Sequence, residues 1–260
     1  MIRDEVLALL ECDQVSAAIR WAFESACEQA LADFARGTGY TALSAGVGRY
    51  DLIADRLDRV FSCRDYAVPD GLESAGLDVL YEGLSEKART TMPRVKPGTV
   101  IRSNLNGSNG WSYRGLRFIT HSVQLCELNR IDWTQESKTK KAVARQQPAS
   151  PAIPTLLDSI LTPTELADLA LQDALPEVGV PTFVLVHALD RDSSDRELVF
   201  GHSRYNDDDG APWNWHESLL GGHKPETTKQ PLPNWTPNPS HVAPDVPVRL
   251  RQPAADRKTQ

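Results

Sequence analysis

Apolar side chains recur at steps of three and four through Val15, Ile19, Ala22, Phe23, Ala26, Ala30 and Phe34. That spacing predicts a long amphipathic helix over 13–34, with Asp13 placed to accept hydrogen bonds from the free amides at its start. A shorter helix is predicted over 2–11 on Ile2, Val6, Leu9 and Leu10. A third, over 49–63, buries Tyr50, Ile53, Leu57, Val60 and Phe61 and turns Asp51, Asp55, Arg56, Asp58 and Arg59 to water. A fourth starts after Asp70 and carries Leu72, Leu77, Leu80 and Leu84.

The pattern changes at Pro93 and Pro97, which end helical structure. The β-branched content of 95–102 predicts a strand. Residues 103–111 hold Gly107 and Gly110 among Asn104, Asn106 and Asn109, which predicts a loop with positive φ. Over 116–131 the apolar positions suit either period, and the reading favours a helix. Residues 134–147 have a basic, helix-tolerant composition with almost no apolar face beyond Val143. Pro148, Pro151 and Pro154 then mark a linker, and Thr162-Pro163-Thr164-Glu165 is a capping box for a further helix. Two apolar runs, 180–188 and 197–203, flank the polar turn 190–195 and predict a β-hairpin on which His187 and His202 face one another.

Together these elements predict an α+β protein: a helical N-terminal half, a mixed segment, a short β-hairpin region and a disordered C-terminal tail. The expected divisions are a helical domain with a basic central segment over 1–147, a small α+β region with a helix and a hairpin over 148–220, and a proline-rich tail over 221–260. The tail follows from composition, since nine of the chain's 18 prolines lie from Pro212 onward.

With 260 residues, 40% of them hydrophobic, the chain can build an apolar core. Its net charge of −7 argues against indiscriminate binding to nucleic acid or membrane. No apolar run approaches the roughly 18 residues needed to span a bilayer, and the acidic start lacks the order of a secretory signal. Cys12, Cys27, Cys63 and Cys126 are too widely spaced for a paired-cysteine metal site and are read as buried free thiols. A cytoplasmic location without membrane contact is therefore expected.

The charge is unevenly distributed. Between Glu86 and Arg145 there are 12 basic residues against four acidic ones, while both flanks are acidic. Such a block either pairs with the chain's own carboxylates or meets phosphates, and the sequence is read in favour of phosphates. The expected function is contact with nucleic acid, DNA above all, with Arg102, Arg114, Arg117, Lys138, Lys140, Lys141 and Arg145 on phosphates and Asn104, Asn106 and Trp111 on bases or sugars.

Two alternatives come from other classes. Glu136-Ser137-Lys138 matches the Glu-x-Lys element of metal-dependent nucleases, in which a carboxylate binds Mg²⁺ and a lysine steadies the attacking water. Glu136 and Lys138 would be its catalytic residues, with Asp132 or Asp78 as second carboxylate, and Mg²⁺ would be the only cofactor. The other alternative is a non-enzymatic module that joins a protein partner or a second copy through its acidic helices and basic segment. His187, His202, His216 and His223 lack metal-ligand spacing, and no serine sits in a strained nucleophile turn.

Overall fold

A computed structural model describes residues 2–35, 38–67, 77–146, 180–208 and 210–221. Among them are six helices: α1 (Arg3–Cys12), α2 (Val15–Asp33), α3 (Ala42–Val60), α4 (Leu77–Tyr81), α5 (Glu86–Thr91) and α6 (Lys138–Ala144). Six strands complete the described part: β1 (Ile101–Arg102), β2 (Gly110–Tyr113), β3 (Leu116–Ser122), β4 (Thr182–Leu189), β5 (Arg196–Ser203) and β6 (Trp213–Ser218). The strands form one mixed sheet in chain order; β3 and β4 run parallel, and every other neighbouring pair is antiparallel. The α+β class with helices gathered toward the N-terminus is the one the sequence predicts.

The apolar stripe of α2 explains its place. Val15, Ile19, Ala22, Phe23, Ala26 and Ala30 are buried, and they share a core with Phe118 of β3, Phe183 and Leu185 of β4, and Leu198 and Phe200 of β5. Helices α1–α3 thus cover one face of the sheet. The other face carries Ile119, Val184, Val186 and Trp213, packed under Ile131, Trp133, Val143 and Ala144. Val143 belongs to α6, and the basic segment, expected to have almost no apolar face beyond that residue, buries one short flank built from Thr139, Val143 and Ala144.

Several expectations change. Leu116–Ser122 is a strand and not a helix: its first six residues are all buried because both faces of the sheet are covered, which erases the alternation that marks a half-buried strand. Asp13 does not cap α2; the residue before the helix is Gln14 in a left-handed conformation, and Asp13 Oδ2 instead accepts from the Tyr113 hydroxyl at 2.7 Å. The hairpin of β4 and β5 forms, but His187 lies opposite Leu198 and His202 opposite Trp215, so the two imidazoles do not face each other. Only Ile101 and Arg102 of the run 95–102 are strand. Positive φ appears at Asn106 and Gly107, as expected of that loop.

Two of the thiols, Cys27 and Cys63, are buried, whereas Cys12 and Cys126 are exposed. The proline linker over 148–154, the capping-box helix at 162–165 and the tail from 222 onward lie outside the described residues. Strands on either side of the linker nevertheless pair directly, Ile119 with Val184. Among the described residues no helix is long and apolar enough to cross a membrane.

Candidate functional site

The proposed phosphate contacts fall into two groups. Arg102 is held inside: Nη1 donates to Asp58 Oδ1 and Oδ2 at 2.7 and 2.8 Å, Nε donates to Asn104 Oδ1 at 2.7 Å, and the guanidinium lies 4.3 Å from the Trp111 ring centre. Trp111 is fully buried, stacks on Phe118 and donates Nε1–H to Asp58 Oδ1 at 2.9 Å, which leaves no ring face for a base. Arg117 is buried too, with Nε donating to Ser103 Oγ at 3.0 Å. Arg114 pairs with Asp13 at 2.9 Å. Lys140 is bonded to Glu136 and His121.

Exposed Lys138, half-buried Lys141 and exposed Arg145 share the short helix α6 and its C-terminal cap, with the Arg145 guanidinium 4.1 Å from the Tyr205 ring centre. Asn104 and Asn106 are exposed on the loop before β2, and the Asn104 side chain also accepts from Gly110 N–H. The ten residues therefore do not gather on one surface.

Arg56 and Asp58, expected to face water, are buried. Asp55, Arg56, Arg59 and Tyr66 form a connected group, with Arg59 Nε donating to Asp55 at 2.9 Å and Tyr66 Oη at 2.5 Å. Burial pushes the Asp58 carboxyl above its ordinary range, and Arg102 and Trp111 offset that only in part.

A different set of side chains does converge. Beyond the carboxyl end of β3 lies a cleft of about 450 Å³, lined among others by Arg49, His121, Glu127, Arg130, Asp132 and Glu136. Three distant segments supply it: Arg49 from α3 on the helical face of the sheet, His121 from β3 pointing to the opposite face, and residues 123–136 that fold over the strand ends.

His121 anchors one wall. Its Nδ1 is 2.7 Å from Lys140 Nζ, its Nε2 is 3.5 Å from Glu136 Oε1, and Lys140 donates to Glu136 Oε2 at 3.2 Å. The ammonium has only protons to give, so Nδ1 is the acceptor and Nε2 carries the hydrogen. Burial, reinforced by the Lys140 charge, pushes the imidazole down to about 4, and it is neutral near pH 7. Its ring also packs 5.4 Å from that of Trp133.

Arg49 anchors the other wall. Nη1 donates to the Leu189 carbonyl at 3.0 Å and Nη2 to Ser122 Oγ at 2.7 Å, while Nε is buried with no acceptor. Behind it His187 is fully buried with neither ring nitrogen bonded, and burial together with the Arg49 charge keeps it neutral.

The nuclease pair does not assemble. Glu136 is occupied by Lys140 and His121, Lys138 is exposed, and Asp132 Oδ1 accepts from Thr134 N–H and Oγ1. Among the described residues no three His, Cys, Asp or Glu side chains are grouped to hold a metal ion. Arg49 and His121 were not among the predicted site residues. For Arg49 a signal exists in the sequence, because it stands on the same stripe as Ile53, Leu57 and Val60, where a charge needs a reason. No family model, no curated protein and no solved structure matches the chain.

Proposed function

We propose that this protein binds a small polar molecule in the cleft at the carboxyl end of β3. The observation that carries the reading is the meeting of a buried neutral imidazole and a buried guanidinium on one cleft, each held by groups far away in sequence. The cleft opens where β3 ends, and β3 is half of the one parallel pair among the described strands. A volume of about 450 Å³ lies within the range of small-molecule clefts. His121 acts there as a fixed hydrogen-bonding group. The free thiols support a reducing, cytoplasmic setting.

The test is a thermal-shift screen of the full chain against a metabolite set, repeated on Val123→Trp, which fills the cleft from its lining. Stabilisation by at least one compound that the variant abolishes is expected. Shifts that survive the substitution, or none at all, would refute the reading.

A second reading keeps nucleic acid as partner, on a narrower basis. Lys138, Lys141 and Arg145 stand together at α6 with no ion pair among the described residues. Three phosphate contacts give a logarithmic salt slope of about −3. Reversing all three charges should abolish binding to a DNA duplex; an unchanged slope sinks this reading.

A further inference from the structure

Arg49 is 8% exposed, and no carboxylate among the described residues pairs with it. Its guanidinium offers five N–H donors, and the protein supplies acceptors for two, a backbone carbonyl and a hydroxyl, neither of them charged. A buried cation without a counter-ion is costly, so such a group at a cleft wall is poised for an anion from outside. The rest of the lining carries the opposite sign. Glu127 and Glu136 are half-buried and Asp132 is exposed, against the single exposed cation Arg130. The Glu127 side chain has no partner among the described residues. Glu136 is paired with Lys140, so a plain anion would meet the carboxylates of Glu127 and Asp132 beside Arg49.

From this separation of charge we infer that the ligand is a small zwitterion of the amino-acid type. Its carboxylate sits on the Arg49 fork, and its ammonium faces Glu127 and Asp132. Gln135 on the same lining is left for the ligand's remaining polar groups, whereas His121 Nε2–H already faces Glu136 Oε1 at 3.5 Å. The planar guanidinium receives a carboxylate through two parallel hydrogen bonds, which a lysine cannot reproduce. The inference rests on the cleft being a ligand site and adds the chemical class.

The experiment titrates the full chain by calorimetry with each of the twenty common L-amino acids, and with sodium acetate, inorganic phosphate and methylammonium as single-charge probes. At least one amino acid should bind while all three single-charge probes fail. Arg49→Lys should weaken that binding about tenfold or more, the loss of one charge-assisted hydrogen bond. Glu127→Gln, a change on the cleft rim that leaves the buried residues in place, should weaken it severalfold, so a folding defect at position 49 does not leave the question open. Equal binding of acetate or phosphate overturns the zwitterion assignment, as does an amino acid whose affinity neither substitution changes. Failure of every compound in both this titration and the metabolite screen overturns the cleft reading itself, whereas a screen compound sensitive to Val123→Trp but indifferent to Arg49 and Glu127 overturns only the present inference.

Discussion

Replacing Asp58 by alanine strands two donors at once. Arg102 loses contacts at 2.7 and 2.8 Å, and Trp111 Nε1 loses its acceptor at 2.9 Å. Removing one partner of a buried ion pair costs about 3–5 kcal/mol, and an orphaned buried N–H adds about 1–3 kcal/mol. Arg102 keeps Asn104 and Asn109 as acceptors, so the expected loss is at the lower end, about 3–4 kcal/mol. Asp58→Asn retains an acceptor for Trp111 and should cost about 2 kcal/mol. In the double variant Asp58→Ala with Arg102→Met both charges leave, and the loss should fall short of the sum of the single losses by about 2 kcal/mol.

Stability also depends on pH through this group. The folded carboxyl binds its proton more tightly than the unfolded one, since burial raises it. Between the unfolded value and the raised folded value the native state therefore holds more protons. This carboxyl's contribution falls as pH rises through that window, and Asp58→Asn should remove the slope. Urea unfolding of the full chain, followed by circular dichroism and repeated across pH, measures all of these. A loss below about 1 kcal/mol for Asp58→Ala, or strict additivity in the cycle, would mean that the pair is effectively solvated.

His121, held down to about 4 in the fold against an unfolded value near 6.5, contributes stability above about pH 6.5 that is lost as pH falls toward 4. The urea midpoint should drop over that interval, and less steeply in His121→Gln; identical profiles would count against burial of the imidazole. Gly201→Ala should destabilise by about 2 kcal/mol, because a Cβ there would lie 2.8 Å from both His216 Cβ and the Trp215 carbonyl oxygen, and a variant with wild-type stability would contradict the β5–β6 register. Cys12 and Cys126 should react with iodoacetamide in the folded protein while Cys27 and Cys63, buried and pushed up to about 12, react only on unfolding. Mass spectrometry of the labelled chain counts the sites, and four fast thiols would refute the packing.

The sequence made α2 and the β4–β5 hairpin legible because each has one dominant signal: a stripe of small and large apolar residues in the first, two β-rich runs around a polar turn in the second. It misled at β3, where burial on both faces removes the period-two alternation and leaves an apolar run that a helix would also show. It misled again at α3, since Arg56 and Asp58 are charged yet buried. Arg56 has a partner beside it in Asp55, but Ser25, Arg102 and Trp111, which also hold the pair of buried charges, come from far along the chain and nothing near α3 announces them. The basic block failed as a surface for the same reason: its arginines are distributed between core pairs and separate faces. The cleft was illegible because Arg49, His121 and Glu136 meet only when a sheet brings them together. Its one local mark in the sequence is an arginine, Arg49, on the apolar side of its own helix.

The parallel pairing of β3 with β4 also bears on how the chain is born. As synthesis proceeds, Arg117–Ser122 emerges with a vacant side, and the strand that fills it follows only after a further quarter of the chain. An unfilled strand edge invites improper pairing with other molecules. Here α1–α3 have already left the ribosome when that edge appears, and Phe118 can shelter against them at once. The order of elements along the message thus places the shield ahead of the part that needs it.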